Sequence, residues 1–334
     1  MKALIIRIWQ QLLHDKRSLA IMLFIPPVLL SLFYVLLGTS SYSPKVAYGD
    51  VPQIVQERLS VIAGPVDAST PEEREALLRD GQYDAIVYAR DGVLHISVLE
   101  SNSKTGKAIR AIQGCFADAS PIKIVTESVY GSPDDSFFES MAYVFLSFVV
   151  FMFTFLVSGM AVVGERTSHT FERMMMTPIR RSQVVGGYLL GYGAPAVLQS
   201  IFILLTSKFI LGVTIAGSFW LCFVILLILA LIAVSIGTTV SSFAGSEFQV
   251  MQFIPLLILP QIFFTGIIPL ELIPYGLDKL CYIMPIYYAA MPLKAIMVQG
   301  TGMAEVWPWI LAELAILGIL FLVNTLILKR YRRL

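Results

Sequence analysis

Long apolar stretches separated by short polar ones dominate this sequence. Six of them contain few or no charged side chains: residues 18–37, 138–163, 187–211, 218–240, 250–268 and 307–328. An α-helix rises about 1.5 Å per residue, so that about 20 residues cross the hydrocarbon core of a bilayer. The pattern therefore predicts an α-helical polytopic membrane protein with six transmembrane helices.

Residues 1–17, before the first apolar stretch, place apolar and polar side chains at different positions around a helix. The apolar ones recur at helical spacing: Leu4, Ile5, Ile8, Trp9, Leu12 and Leu13. This predicts an N-terminal helix that lies in the membrane interface, the alternative being a charged flank of the next helix. Because the stretch 18–37 is longer than the apolar core of a signal peptide, we expect an uncleaved transmembrane helix.

Residues 38–137 have a different character from the rest of the chain. Positions 39–137 carry 14 acidic and 9 basic residues, with frequent Gly and Pro and only short apolar runs. The pattern predicts strands at 46–48, 83–89 and 93–99, and helices at 54–62, 70–79 and 104–116. Thr70 is a helix N-cap candidate followed by Pro71. We expect a small α/β domain between the first transmembrane helix and the remaining five in 138–334.

The distribution of Lys and Arg predicts how the chain is oriented. Twelve basic residues fall in segments that six spans would place on one side: Lys2, Arg7, Lys16, Arg17, Arg166, Arg173, Arg180, Arg181, Lys329, Arg330, Arg332 and Arg333. Short cytoplasmic loops are enriched in such residues. We therefore expect both termini in the cytoplasm, the α/β domain in the extracytoplasmic space, and the protein in the plasma or inner membrane.

Composition excludes several functional classes. The 334 residues are 57% hydrophobic and 14% charged, and the formal net charge is +1, without the basic excess of a nucleic-acid-binding protein. Cys115, Cys222 and Cys281 are far apart, so that no metal or redox motif is predicted. A phosphate-binding GxxxxGK[ST] loop is also missing from the sequence. We expect no cofactor on this chain.

A charged, Met-rich segment at 164–182 separates the second and third apolar stretches. We expect it to contain a cytoplasmic helix with Glu165, Thr170, Glu172 and Arg173 on one solvent-exposed face. Met174, Met175 and Met176 offer adaptable apolar surface, and Pro178 ends or redirects the helix. The alternative is a solvated connector without a function of its own.

The segment 255–300 is too rich in proline for one straight helix. It contains six prolines, each of which removes a backbone donor. We expect residues 265–300 to re-enter the bilayer, where irregular backbone is tolerated only against protein or a water-filled cavity. The alternative is an ordinary amphipathic outer loop.

Ionisable residues are scarce within the apolar stretches. Glu313 lies six residues into the last one. We expect it to snorkel to the outer interface, the alternative being that it faces a neighbouring helix or a transport pathway. Since there is no central charge cluster, conformational change must be driven from outside the bilayer, and any ATP must bind to another chain.

Two segments of the chain resemble membrane subunits, or permeases, of type-2 ABC exporters, in the branch with a large extracytoplasmic domain after the first span. The coupling-helix resemblance is carried by Glu165, Arg166, Thr170, Glu172, Arg173, Met174, Thr177, Pro178 and Arg180. The segment before the last span is similar to the family's re-entrant signature through Phe263, Phe264, Gly266, Pro269, Pro274, Pro285 and Tyr288. Residues 167–169 depart from the small and Gly-rich residues that the resemblance implies there.

The resemblance implies an assembly. Two such permeases, identical or different, would pair, and each coupling helix would dock into a groove on a nucleotide-binding ATPase subunit that holds ATP and Mg. It also implies that the N-terminal helix contacts the ATPase and that the first and fifth spans line the route among membrane lipids.

Two functional hypotheses from different classes follow. The first is a permease that exports an amphipathic, drug-like or lipid-like compound. The second is a membrane-anchored sensor or scaffold whose extracytoplasmic domain binds a ligand. An intramembrane hydrolase lacks support, because no span pairs a nucleophile with a base at helical spacing.

Overall fold

The computed structural model describes residues 2–331 except for 15, 39–43, 67–69, 91–92, 100–102, 117–123, 128–136, 268–272 and 274–275. The chain forms two compact units, one made of Met1–Leu32 and Ala142–Leu334 and the other of Phe33–Met141. In the described residues, the first unit is helical and the β-strands belong to the second.

The helices of the described chain are α1 Lys2–His14, α2 Lys16–Gly38, α3 Gln53–Leu59, α4 Pro71–Arg79, α5 Ser103–Cys115, α6 Phe137–Thr167, α7 Thr170–Met175, α8 Arg181–Leu205, α9 Phe219–Ser241, α10 Glu247–Leu257, α11 Leu259–Ile262, α12 Pro285–Gln299 and α13 Met303–Tyr331. Two π-helical turns extend α8 and α11 over Thr206–Ile210 and Phe263–Ile267, and a 3-10 helix spans Leu277–Ile283.

The unit Phe33–Met141 contains a five-stranded mixed sheet in the order β2-β1-β3-β4-β5. Its strands are β1 Val46–Tyr48, β2 Ala63–Pro65, β3 Ala85–Arg90, β4 Val93–Ser97 and β5 Ile124–Glu127. Only the β3–β4 pair is antiparallel, as expected for strands joined by a short turn. The three predicted strands correspond to β1, β3 and β4, whereas β2 and β5 were not predicted.

Neighbouring side chains of β1 and β3 point to opposite faces of the sheet, and both faces are buried. Val46 and Val87 belong to one apolar cluster together with residues of α3 and α5, and Ala47 and Ile86 belong to a second cluster with Leu78 of α4. Successive side chains of a strand point to opposite faces, so that helices cover both sides. The helix predicted at 70–79 is present as α4.

Thr70 caps α4 as its sequence predicted. The Thr70 Oγ1 accepts a hydrogen bond from the Glu73 N–H at 3.3 Å, and a Glu73 carboxylate oxygen accepts one from the Thr70 N–H at 3.1 Å. This reciprocal pair is a capping box, which satisfies two backbone donors that the helix leaves without partners.

Within the described part of the chain, five helices are long and apolar enough to cross a membrane: Phe138–Thr167, Arg181–Ile210, Phe219–Ser241, Glu247–Thr265 and Met303–Lys329. The first predicted span lies in α2, of which Met22–Leu36 forms a shorter apolar helix in the described residues. The 3-10 helix and α12 would form a sixth span if counted together. The predicted α-helical polytopic membrane fold is confirmed.

The proline-rich segment is bent sharply. The 3-10 helix Leu277–Ile283 and α12 meet at 92°, and Pro285 begins α12. One straight helix over 255–300 is therefore excluded, as the sequence indicated. Re-entry into the bilayer remains a prediction, because the bend also fits a broken span.

Helix α9 lies at the centre of the helical unit and packs against α8, α12 and α13. Gly237 lets α6 approach it closely, since an added Cβ would lie 2.8 Å from the Phe155 carbonyl oxygen. Small residues allow backbones to approach in this way in membrane bundles. On the other side of α9, Asn324 of α13 donates to the Ser235 carbonyl at 2.9 Å and accepts from Thr239 Oγ1 at 3.0 Å.

Candidate functional site

The connection between α6 and α8 consists of the end of α6, a turn and a short helix, rather than one helix. Helix α6 continues to Thr167, the chain turns at Ser168 and His169, and α7 has only six residues, Thr170–Met175. His169 has a φ of 56°, the left-handed conformation that favours glycine. The Gly-rich start that the family resemblance implies is thus replaced here by a histidine in a glycine-like conformation.

Glu165 is buried, and its predicted place on the solvent-exposed face is wrong. Only 3% of its side chain is exposed, and it accepts two charge-assisted hydrogen bonds. Arg7 Nη2 of α1 lies 2.5 Å from Oε1, and the Tyr188 hydroxyl of α8 donates to Oε2 at 2.6 Å. The carboxylate therefore links three helices at the point where the connection begins. Sequence reasoning missed this because its partners are 158 and 23 residues away.

Arg7 and Tyr188 were not predicted as site residues. Arg7 is half-buried at the edge of the helix face that carries the buried Leu4 and Ile8, whereas a purely interfacial helix would keep its charges on the polar face. A basic residue beside the apolar face of an amphipathic helix was the available signal for a buried partner.

Helix α1 lies against α8 at two glycines one turn apart. An added Cβ at Gly191 would lie 2.6 Å from Ile8 Cδ1, and one at Gly187 would collide with Leu4. Leu4 and Ile8 join Phe171, Val184 and other residues in one apolar cluster. Close packing at the glycines brings Arg7 within reach of Glu165.

Arg166 links the same connection to α9. Its guanidinium donates to the carbonyl oxygens of Ser241, the last residue of α9, and of Ala244, the latter at 3.1 Å. Carbonyl groups at a helix C-terminus lack intrahelical donors, so a basic side chain stabilises that end. Arg166 therefore attaches the connection to the C-terminal end of α9.

The surface of the connection is formed by the remaining predicted residues. Glu172, Arg173, Thr177, Pro178 and Arg180 are exposed, Thr170 and Met174 are half-buried, and Met176 is 85% exposed. Glu172 contacts His169 Nδ1 at 2.9 Å, and Arg173 donates to the Ser168 carbonyl at 3.4 Å. Charges and an exposed methionine together form a surface suited to a protein partner.

A cavity of about 150 Å³ opens beside α7. Arg166, Thr167, Phe171 and Glu172 line it on the side of the connection, and Ala244 and Gly245 line it on the side of the turn after α9. Phe171 is itself buried in the apolar cluster with α1 and α8. The short helix is therefore anchored by Phe171 while its charged side stays open.

The second predicted group lies around the bend before the last span. Phe263 is 55% exposed, Phe264 is half-buried, and Gly266 lies in the π-helical turn. Pro285 begins α12, and the Tyr288 hydroxyl donates to the Tyr282 carbonyl at 2.9 Å. Pro269 and Pro274 lie outside the described residues. Gln261, which the sequence analysis did not single out, is buried between these elements.

Glu313 does not snorkel. Its side chain is fully buried in the helical unit, and neither carboxylate oxygen has a hydrogen-bond partner in the structure. Val306, Ile310 and Asn324 are buried along the same helix, so Glu313 belongs to the inward face of α13. The expectation of an interfacial position failed because helix spacing, rather than depth, decides which way this side chain points.

The described residues contain no group of three or more His, Cys, Asp or Glu side chains that could hold a metal ion. The chemistry of the site is therefore that of ion pairs, helix ends and exposed charges.

Comparison with known proteins identifies the family. A model of the ABC-2 family transporter proteins matches residues 16–327. The chain is 27% identical over 212 residues to ABC transporter G family member 20 of Dictyostelium discoideum, covering 63% of this chain and 29% of that protein.

Two bacterial proteins are also similar. The inner membrane transport permease YhhJ of Escherichia coli is 30% identical over 185 residues, covering 54% of this chain and 48% of YhhJ. The probable multidrug ABC transporter permease YbhR of Escherichia coli is 24% identical over 153 residues, covering 46% of this chain and 42% of YbhR. The matched regions span less than half of each of these relatives. Because the family model matches most of the chain, the protein belongs to the ABC-2 transporter family.

Proposed function

We propose that this chain is the permease subunit of an ATP-driven ABC exporter. The observation that carries the proposal is the buried Glu165 carboxylate, which ties α1, α6 and α8 together directly behind the exposed charges of α7. A force applied to α7 would reach these helices through Phe171, which is buried in the apolar cluster that α1, α6 and α8 share.

The proposed assembly contains ATPase subunits and a second permease. ATP and Mg would bind to the ATPase subunits, and the surface of Glu172, Arg173 and Met176 would dock into them. For this to happen, the connection and both termini must be cytoplasmic and the α/β unit extracytoplasmic, an orientation supported by the distribution of Lys and Arg. The second permease would be a copy or a relative.

Closure of the ATPase subunits would be transmitted by two routes. Glu165 leads the displacement to α1 and α8, and Arg166 leads it to the end of α9, which packs against α12 and α13. The motion would thus reach the bent segment before the last span. Both routes start at adjacent residues, which favours movement of the helical unit as a whole.

The proposed cargo is an amphipathic, drug-like or lipid-like compound. Apolar helices with exposed side chains such as Phe24, Phe248 and Leu256 suit a compound that partitions into the bilayer. The relative YbhR is named as a probable multidrug permease, which supports a drug-like cargo here. Membrane lipids would cover the same surfaces when no cargo is bound.

Charge reversal on α7 tests the proposal. We expect the double variant Glu172→Arg with Arg173→Glu to insert and fold normally, since both side chains are exposed, but to lose most ATP-dependent transport. The measurement is ATP-dependent accumulation of a panel of fluorescent amphipathic dyes in inverted vesicles, together with co-purification of an ABC ATPase subunit that is co-expressed with this chain.

A matched control exists on α4. Glu75 and Arg79 form an exposed ion pair with oxygen and nitrogen 2.7 Å apart, and reversing both charges should leave transport unchanged. Full transport and full ATPase capture by the α7 variant would remove the coupling role of this segment.

A further inference from the structure

Gln261 lies where the long helix Glu247–Thr265 is interrupted between α10 and α11. Helix α10 ends at Leu257 and α11 begins at Leu259. The Gln261 N–H bonds the Ile258 carbonyl at 3.1 Å instead of the carbonyl of Leu257, four residues back. In a regular helix that N–H would bond Leu257, so the interruption leaves the Leu257 carbonyl without its usual backbone donor.

The side chain of Gln261 supplies the missing donor. Its Nε2 donates to the Leu257 carbonyl at 2.7 Å, and its Oε1 accepts from the Ile286 N–H at 3.2 Å. Ile286 is in the first turn of α12, where backbone N–H groups have no intrahelical acceptor. One buried amide, 4% exposed, therefore satisfies an unpaired carbonyl on one helix and an unpaired N–H on another.

We infer that Gln261 is a positioning residue that fastens α12 to the interruption between α10 and α11, so that these helices move together. Unsatisfied backbone groups are costly in a membrane, where water cannot replace a lost partner. No aliphatic side chain can satisfy both groups, and an asparagine is one methylene shorter. The inference needs no ATPase and does not depend on the proposed function.

A native cysteine reports on this contact. Cys281 lies in the 3-10 helix directly before α12 and is 2% exposed. If Gln261 holds α12 in place, loss of the amide should open the 3-10 helix and expose the thiol. Replacing Cys115 with Ser and Cys222 with Ala leaves Cys281 as the single reactive site of the three cysteines in the sequence.

The experiment measures N-ethylmaleimide labelling of Cys281 by mass spectrometry, with the full chain in phospholipid nanodiscs. We expect labelling in Gln261→Met to be about tenfold faster than in the parent. Loss of a buried side-chain hydrogen bond shifts the equilibrium between the closed and the open contact by roughly a factor of ten. Gln261→Glu should restore slow labelling, since a neutral carboxyl group keeps one donor and one acceptor at the same reach.

Thr265→Val is the matched control. Thr265 is also fully buried, but its hydroxyl donates only to Ile262 of its own turn, at 2.6 Å. Its labelling should equal that of the parent. If Gln261→Met does not fold, Gln261→Asn is measured instead with the same expectation. Parent-like labelling in Gln261→Met, or in Gln261→Asn where that variant is measured instead, would overturn the inference. So would equal acceleration in Thr265→Val or fast labelling in Gln261→Glu.

Discussion

At the scale of single residues, the site depends on contacts that sequence distance conceals. The charged segment itself could be predicted from composition, and its exposed part, Glu172 and Arg173, is exposed as expected. The burial of Glu165 could not be predicted, because its two hydrogen-bond donors come from α1 and α8. The predicted position of Glu313 was wrong for a similar reason, since only the packing of α13 shows which face of that helix is buried.

The Arg7–Glu165 pair should respond asymmetrically to substitution. Arg7 is 35% exposed and Glu165 is 3% exposed, so Arg7→Met leaves a buried carboxylate without its counter-charge, whereas Glu165→Gln leaves a cation that can reach water. We expect the free energy of unfolding to fall by about 2 kcal/mol in Arg7→Met and by about half of that in Glu165→Gln. The decrease in the double variant should be smaller than the sum of the two single decreases. Thermal unfolding in detergent measures all three. Additive losses would show that the two groups do not interact.

At the scale of elements, long helices follow from apolar stretches, and their interruptions do not. The stretches predicted α6, α8, α9 and α13 because burial and membrane thickness both require a long apolar helix. The strands β2 and β5, of three and four residues, were missed because so few positions cannot show an alternation of apolar and polar side chains. The predicted coupling helix is also shorter than its segment, since His169 interrupts it.

The packing of α1 on α8 should depend on Gly191. Gly191→Ala places a methyl group 2.6 Å from Ile8 Cδ1 and should destabilise the protein by about 1–3 kcal/mol while weakening the Arg7 contact. Gly318→Ala on α13 is the control, because no atom lies within 4 Å of an added Cβ there and alanine favours a helix. The apparent melting temperatures of the two variants are compared. A lower value for Gly318→Ala than for Gly191→Ala would contradict this packing.

At the scale of the whole molecule, the chain consists of two units with separate cores. The sheet unit has its own apolar clusters on both faces of the sheet, built from residues between Val46 and Phe116. Its composition set it apart in the sequence because soluble domains need charged surface that membrane helices lack. A self-contained core fits either functional hypothesis, an exporter or a sensor.

The sheet unit should therefore fold alone. We expect a fragment of residues 44–127 to be soluble and to unfold cooperatively, as followed by circular dichroism. In this fragment, Thr70→Ala should lower the melting temperature by about 4–8 °C, since loss of a capping side chain costs about 1 kcal/mol. Glu75→Ala, which removes only an exposed ion pair, should have a smaller effect. A fragment without a cooperative transition would show that its core needs the membrane helices.

The distance along the chain between Arg7 and Glu165 has a consequence for biogenesis. The surface on which α1 rests is made by α8, which leaves the ribosome long after α1 does. Until both Glu165 and α8 have been synthesised, Arg7 lacks its counter-charge and α1 lacks the surface against which it packs. Helix α1 thus cannot reach its final place before α8 has been inserted, and the contact that links α1, α6 and α8 is completed only at that stage.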